Sequence, residues 1–212
     1  MRTDDLVHAL AADHHVAQSS IGRQFALAIA IGFAISAVLF WVTLGPRPDI
    51  ASAALTVRFD LKIVEALLLA TTAGALIVRL AQPGAGTTSQ TIVLAAAPVL
   101  LAAAVITELV VVPASLWQAK LVGTKSLICL TAIPLLSLPL LAALLLALRQ
   151  GAPTSRGAAG AAAGLVAGGL AAALYATQCI DDSPLFVATW YSIAIGAVTA
   201  LGAVLGRRLL RW

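Results

Sequence analysis

Six long apolar segments alternate with short polar segments along the chain. The apolar segments cover about residues 25–44, 61–80, 91–112, 125–148, 157–177 and 185–206. Each has close to the roughly 20 residues that cross the hydrocarbon core of a bilayer as a helix. Turn signals such as Gly45-Pro-Arg-Pro-Asp49 separate them. The pattern predicts an all-α polytopic membrane protein with six transmembrane helices and a short cytoplasmic N-terminal helix.

The composition supports a membrane protein and argues against other classes. Of 212 residues, 61% are hydrophobic and only 10% are charged, whereas a soluble domain carries about 25% charged residues. The isoelectric point near 9.6 does not indicate nucleic-acid binding, because the basic residues lie between the apolar segments, where they act as topology signals. The expected partner of this surface is the lipid bilayer, with no direct contact to nucleic acid.

A tail of residues 1–20 precedes the six-span domain of residues 21–212. Residues 3–19 have the pattern of a short amphipathic helix, with Leu6, Val7 and Leu10 on one face. Asp4 and Asp5 suit the positive end of its dipole. An isolated helix of this length is marginal in water, so docking on a partner would stabilise it. A frayed surface tail is the alternative.

The basic residues indicate the orientation of the six spans. Six spans place both termini on one side, and that side then holds eight basic residues against five on the other side. The connection before the sixth span contains none. The positive-inside rule therefore predicts a bacterial inner-membrane protein with both termini in the cytoplasm.

Two cysteines are expected at the outer end of the bundle. Cys129 lies about one turn inside the fourth span, and Cys179 follows the fifth span. Spans joined by a short connection are usually antiparallel neighbours, so both thiols lie near the same end. In an oxidising periplasm they could form a disulfide, be reduced, or bind a soft or borderline metal ion. Two unpaired thiols packed as small apolar groups are the alternative.

Several charged residues are expected at the same end. Glu65 and Glu108 each lie about one turn inside the outer boundary, where ionisable groups are functional hypotheses. Lys62 can share a helix face with Glu65, and Lys125 can serve Glu108, so structural ion pairs are the alternative. Two further carboxylates, those of Asp181 and Asp182, follow Cys179 in sequence. Together with Glu65, Glu108 and the two thiols, they could support a metal site.

Small residues recur at every fourth position in the fifth span, at Gly160, Gly164 and Gly168, and the sixth span ends with Gly202 and Gly206. Such ridges let helix backbones approach closely in lipid. They predict tight packing within the bundle, or a homo-oligomer as the alternative.

No motif indicates an enzyme: the chain has no P-loop, Rossmann glycine pattern, nucleophile elbow or HExxH sequence. The thiol pair leaves open a membrane thiol–disulfide oxidoreductase, although such enzymes usually use two thiol pairs. The membrane carboxylates leave open a small transporter.

Three stretches resemble a known family. Met1-Arg-Thr-Asp-Asp-Leu-Val-His-Ala-Leu-Ala-Ala-Asp13, Gly45 through Asp49, and Cys179 through Tyr191 are similar to NrsF-type membrane anti-sigma factors. The resemblance extends along the whole chain. It implies a membrane-bound negative regulator that sequesters an ECF sigma factor. It also implies that the residues matching the family's cysteines, Cys129 and Cys179, sense metal or oxidative stress from the periplasm.

The tail lacks the Cys/His motif of soluble zinc-binding anti-sigma domains, so a different mode of sigma capture is expected. Apolar residues of the tail would contact the sigma factor, and its acidic residues would meet basic sigma-factor surfaces. The expected sigma-binding residues are Asp4, Asp5, Leu6, Val7, Leu10 and Asp13.

Overall fold

The structure is a computed structural model, and it describes residues 21–82 and 84–210. These ranges contain helices and no strand. Six helices are long and apolar enough to cross a membrane: α1 (Ile21–Thr43), α2 (Val57–Leu80), α3 (Thr88–Val111), α4 (Ser126–Leu148), α5 (Arg156–Ala176) and α6 (Pro184–Leu209). The predicted all-α architecture with six spans is confirmed. The predicted tail helix and sigma-binding residues lie outside the described residues.

The helices depart from the predicted spans mainly at interruptions. Helix α3 consists of Thr88–Leu94 and Ala96–Val111, and α6 contains a π-helical turn at Val187–Tyr191. The connections contain the short helices Ile50–Ala53 and Trp117–Val122. Apolar content alone does not predict the break in α3 or the π-helical turn in α6, because an interrupted helix and a continuous helix contain the same types of apolar residue.

Helix α5 is the centre of the bundle, and α2, α4 and α6 pack around it. Because it is surrounded, 67% of its most apolar stretch is buried, compared with 17% for the peripheral helix α3. Helix α1 packs on α4, where the Ser36 hydroxyl donates to the Leu136 carbonyl at 2.7 Å. The Ala- and Gly-rich sequence of α5 fits this position, because small side chains allow three neighbours to approach.

Glycines bring the backbones of α5 and α6 into contact. A Cβ atom on Gly160 would lie 2.2 Å from the Gly202 carbonyl oxygen, and one on Gly202 would lie 2.3 Å from the Gly160 oxygen. A Cβ on Gly206 would lie 2.5 Å from the Arg156 oxygen. The predicted glycine ridges of α5 and α6 therefore pack against each other within one chain. The alternative was that they form a contact between two copies of the chain, and these glycines are already covered.

The two ends of the bundle differ in composition. We call residues 44–62, 108–129 and 175–191 the thiol end, because they contain both cysteines. We call residues 79–82, 84–87, 149–156 and 206–210 the arginine end, because they carry arginines at exposed positions: Arg79, Arg149, Arg156, Arg207 and Arg208.

Candidate functional site

A buried cluster at the thiol end contains both cysteines. Cys129 lies in the first turn of α4 and Cys179 in the connection between α5 and α6. Both are free thiols with no exposed surface. The same cluster contains Tyr175 and Tyr191, whose ring centroids are 5.9 Å apart, and Phe186 at 6.3 Å from Tyr191. The expectation that the two cysteines lie near the same end agrees with the structure.

Unpaired polar atoms surround the thiols. The buried Tyr175 Oη and Tyr191 Oη atoms lie within reach of a weak hydrogen bond with the Cys179 thiol; apart from that thiol, they and Gln178 Oε1 have no hydrogen-bond partner in the described part of the chain. Native proteins rarely leave such groups unpaired, so their concentration around Cys179 marks a site able to accept further hydrogen bonds or a ligand. Burial raises the pKa of the Cys179 thiol, which keeps it protonated and weakly nucleophilic in this state.

A network of charges lies directly beside Cys179. The side chain of Lys62 is 1% exposed, donates to the Cys179 carbonyl oxygen at 2.7 Å, and forms an ion pair with Asp182. Arg47 binds the other oxygen of Asp182 at 2.9 Å and also pairs with the exposed Asp49 at 2.7 Å. These hydrogen bonds raise the pKa of Arg47 and lower that of Asp49. Asp182 thus bridges two cations above the thiol cluster.

Asp181 joins the connection after α5 to the start of α4. Its carboxylate accepts hydrogen bonds from the backbone N–H groups of Thr124 at 3.0 Å and Lys125 at 2.9 Å. Gly123 allows this approach because its φ of +59° favours glycine, and because a Cβ there would lie 2.5 Å from the Phe186 ring. The segments that carry the two cysteines are therefore tied to each other through Asp181.

Glu108 has different partners from those expected. Its two oxygens bind Arg58 at 2.8 Å and the Ser183 hydroxyl at 3.2 Å. The expected pairing of Glu108 with Lys125 is wrong, because Arg58 of α2 reaches Glu108 instead.

The expected pairing of Lys62 with Glu65 is also wrong. The connection after α5 folds over α2 and offers Lys62 a carbonyl oxygen and the carboxylate of Asp182. Glu65 lines a small cavity with Lys62 and Asp182, but in the described residues its buried Oε2 atom has no hydrogen-bond partner. Five of the six predicted thiol and carboxylate residues belong to the thiol end, and Glu65 lies about one turn beyond it without joining its ion pairs.

The donor set for a metal ion is limited. The described residues contain no group of three or more His, Cys, Asp and Glu side chains that could hold a metal. Asp181 and Asp182 are engaged by backbone N–H groups and cations. The thiols of Cys129 and Cys179, with the tyrosine oxygens beside them, are therefore the donors that a soft ion would meet.

Sequence reasoning missed the roles of Arg47, Arg58, Tyr175 and Tyr191. Arg47 lies between two prolines in a segment interpreted as a turn and as part of the family resemblance, and neither interpretation indicates a partner for its side chain. Nothing local to Arg58 or Tyr175 indicates which helix faces them. Their contacts depend on the arrangement of the whole bundle.

Comparisons with known proteins agree with the resemblance. The sequence model of a family described as "Negative regulator of sigma F" (NrsF) matches residues 10–212. The chain is 36% identical over 214 residues to an anti-sigma-F factor NrsF of Caulobacter vibrioides (strain NA1000 / CB15N). It is 33% identical over 220 residues to a probable anti-sigma-F factor NrsF of Azospira oryzae (strain ATCC BAA-33 / DSM 13638 / PS). Each alignment covers 100% of both chains.

No solved structure matches the chain. The names of both relatives are those of regulators rather than of enzymes, which argues against a thiol–disulfide oxidoreductase. The match along nearly the whole chain and the two full-length relatives show that this chain belongs to the NrsF family of negative regulators of sigma F.

Proposed function

We propose that the chain is an inner-membrane anti-sigma factor that holds an ECF sigma factor at the cytoplasmic face and releases it when its thiols react. Membership of the NrsF family carries the proposal of sigma capture. The six apolar helices support a membrane location. The eight basic residues on the side of the two termini, against five on the other side, support an orientation with the arginine end and both termini in the cytoplasm.

The thiol end would then face the periplasm and receive the signal. A disulfide, an oxidised sulfur or a soft metal ion at Cys129 and Cys179 changes the volume and charge of a cluster that is fully buried. Closely packed interiors respond to such changes by shifting, since they contain little free space. The signal is therefore thiol-directed oxidation or thiophilic metal binding.

Contacts of Cys179 offer a route from the thiols to the helices. Its carbonyl oxygen accepts from Lys62 of α2, and Asp181 and Asp182 follow it in sequence. Moving this connection loosens the ion pairs of Asp182 and the hydrogen bonds of Asp181, and therefore the packing of α2, α4 and α6. A signal favours release of the sigma factor only if it binds or modifies the releasing state better than the restraining state.

Capture is assigned to the tail, with Asp4, Asp5 and Asp13 meeting basic sigma-factor surfaces. The experiment is affinity purification of the tagged full chain from its host after mild solubilisation, with the bound proteins identified by mass spectrometry. An ECF sigma factor is expected with the full chain, but not with a chain lacking residues 1–20 or with the Asp4→Asn/Asp5→Asn variant.

The control is Asp60→Asn, since Asp60 is an exposed acid at the thiol end of α2. This variant should retain the sigma factor, because the negative charge that it removes lies on the opposite side of the membrane. Sigma factor retained without residues 1–20 would refute the assignment to the tail. Absence of any sigma factor from the full-length complex, with the membrane protein recovered intact, would refute the proposed function itself.

A further inference from the structure

A second site lies at the side of the bundle, apart from the thiols. A cavity of about 660 Å³ opens between α2, α3 and α6, with Leu165 of α5 as its floor. Most of its wall is aliphatic, formed by residues such as Leu69, Leu101 and Ile195. The volume falls within the range of small-molecule sites. Because α3 is a peripheral helix, the opening lies where the acyl chains of a bilayer would be.

Glu65 supplies the only carboxyl group of this cavity wall in the described residues. It is 8% exposed, and its Oε2 atom is buried without a hydrogen-bond partner. The nearby cations are already used, since Arg58 pairs with Glu108 and Lys62 pairs with Asp182. The wall has three hydroxyls: those of Thr91 and Thr199 donate to the backbone carbonyls of Thr87 and Ile195, and the third belongs to Ser192. Glu65 therefore has an unused oxygen beside an apolar chamber.

An unpaired carboxyl in hydrocarbon is costly in either protonation state. A ligand that stabilises it must bring a complementary polar group and an apolar body for the rest of the cavity. An amine meets both states, because an ammonium group pairs with a carboxylate and a neutral amine accepts the proton of a carboxylic acid. An alcohol supplies a hydrogen bond without a compensating charge, and a metal ion would find one carboxylate and no second ligand of that kind in the described wall.

We propose that this cavity binds a single-chain alkylamine, with its amino group on Glu65 and its chain along α3 and α6. Glu65 lies three residues beyond Lys62, the last residue of the thiol end, which is about 4.5 Å along a helix. A single-chain amine is favoured over an aminophospholipid because the phosphate of a phospholipid would need a cation, and the neighbouring Arg58 and Lys62 are already paired with Glu108 and Asp182. The site is independent of sigma capture, and Glu65 also lines a small cavity shared with Lys62 and Asp182.

The test measures binding of dodecylamine to the purified full chain in phosphatidylcholine nanodiscs by native mass spectrometry. Dodecanol of the same chain length is the uncharged comparison, and nanodiscs containing phosphatidylethanolamine test the lipid source. Dodecylamine should bind the wild type and should bind Glu65→Gln about ten- to a hundredfold more weakly. Dodecanol should bind weakly to both, and phosphatidylethanolamine should not displace the amine.

Two further variants separate the site from general partitioning. Ala200→Phe fills the cavity without changing its charge and should also reduce dodecylamine binding. Leu135→Phe fills a groove of about 510 Å³ between α1 and α4 that has no carboxylate, and should leave binding unchanged. Equal binding by wild type and Ala200→Phe would overturn the proposal, as would equal binding by wild type and Glu65→Gln. Displacement by phosphatidylethanolamine would overturn the single-chain assignment.

Discussion

The two ends of the bundle are stabilised by different interactions. At the thiol end, buried or half-buried charges hold the connections together, with Asp182 between Lys62 and Arg47. Near the arginine end, α5 and α6 meet through glycine backbones, as at Gly160 and Gly202. One end therefore depends on charge and polar contacts, and the other on close apolar packing.

This difference suits the two tasks that we propose. A change of chemistry at a buried thiol can disturb charge pairs that depend on the position of one connection. The arginines at the opposite end are exposed and do not depend on the position of that connection. Their surface is therefore available to a protein partner. Tight glycine packing between α5 and α6 makes the two helices move together, so a displacement at the thiol end would reach the arginine end.

The largest effect is expected when Asp182 is removed. Asp182→Asn leaves Lys62 and Arg47 without their shared carboxylate, and loss of one partner of a buried ion pair costs about 3–5 kcal/mol of unfolding free energy. The measurement is SDS-induced unfolding in mixed micelles. Asp49→Asn is the matched control, because its carboxylate is exposed and binds the same Arg47. Equal losses in both variants would show that burial of the network does not matter.

A smaller loss is expected from Gly160→Ala. The added methyl group meets the Gly202 carbonyl oxygen at 2.2 Å, so α5 and α6 must separate, at about 1–3 kcal/mol. Gly74→Ala is the control, because no atom lies within 4 Å of its added Cβ, and it should be neutral or stabilising. The same unfolding assay at low and high salt should show no salt dependence for Gly160→Ala. A loss as large for Gly74→Ala would contradict the backbone contact.

The contrast between the ends also shows what the sequence can predict. Six spans follow from continuous apolar runs, and the meeting of Cys129 and Cys179 follows from their positions near span boundaries. The partner of Lys62 could not be predicted, because it depends on how the connection after α5 folds over α2. The same holds for Arg58 and Glu108, whose pairing requires α2 and α3 to be neighbours. Local pattern fixes the helices, whereas the polar contacts depend on their arrangement.

The third effect concerns the rate at which Cys179 reacts. In a Cys129→Ser background, Asp181→Ala removes the hydrogen bonds to Thr124 and Lys125, so the connection should open more often and maleimide labelling should rise about tenfold. Because burial raises the pKa of the Cys179 thiol, labelling of the folded protein near pH 8 should be slower than that of the unfolded chain. Asp60→Ala is the control, and an equal rise there would contradict the role of Asp181.

The smallest effect is expected at the arginine end. Arg208→Gln removes an exposed charge from the last turn of α6, and such surface changes alter stability by about 0.5 kcal/mol or less. The SDS unfolding assay should place this variant with the wild type. A loss similar to that of Asp182→Asn would mean that charge stabilises both ends equally.

The central claim is that the buried thiols control sigma capture, and one measurement tests it most directly. Membranes holding the full chain with its captured sigma factor are treated with a thiol oxidant such as diamide, and the sigma factor released is quantified. The wild type should release it, whereas the Cys129→Ser/Cys179→Ser double variant should retain it. Equal release from both, or retention by a wild type whose thiols are shown by alkylation to have reacted, would contradict the account.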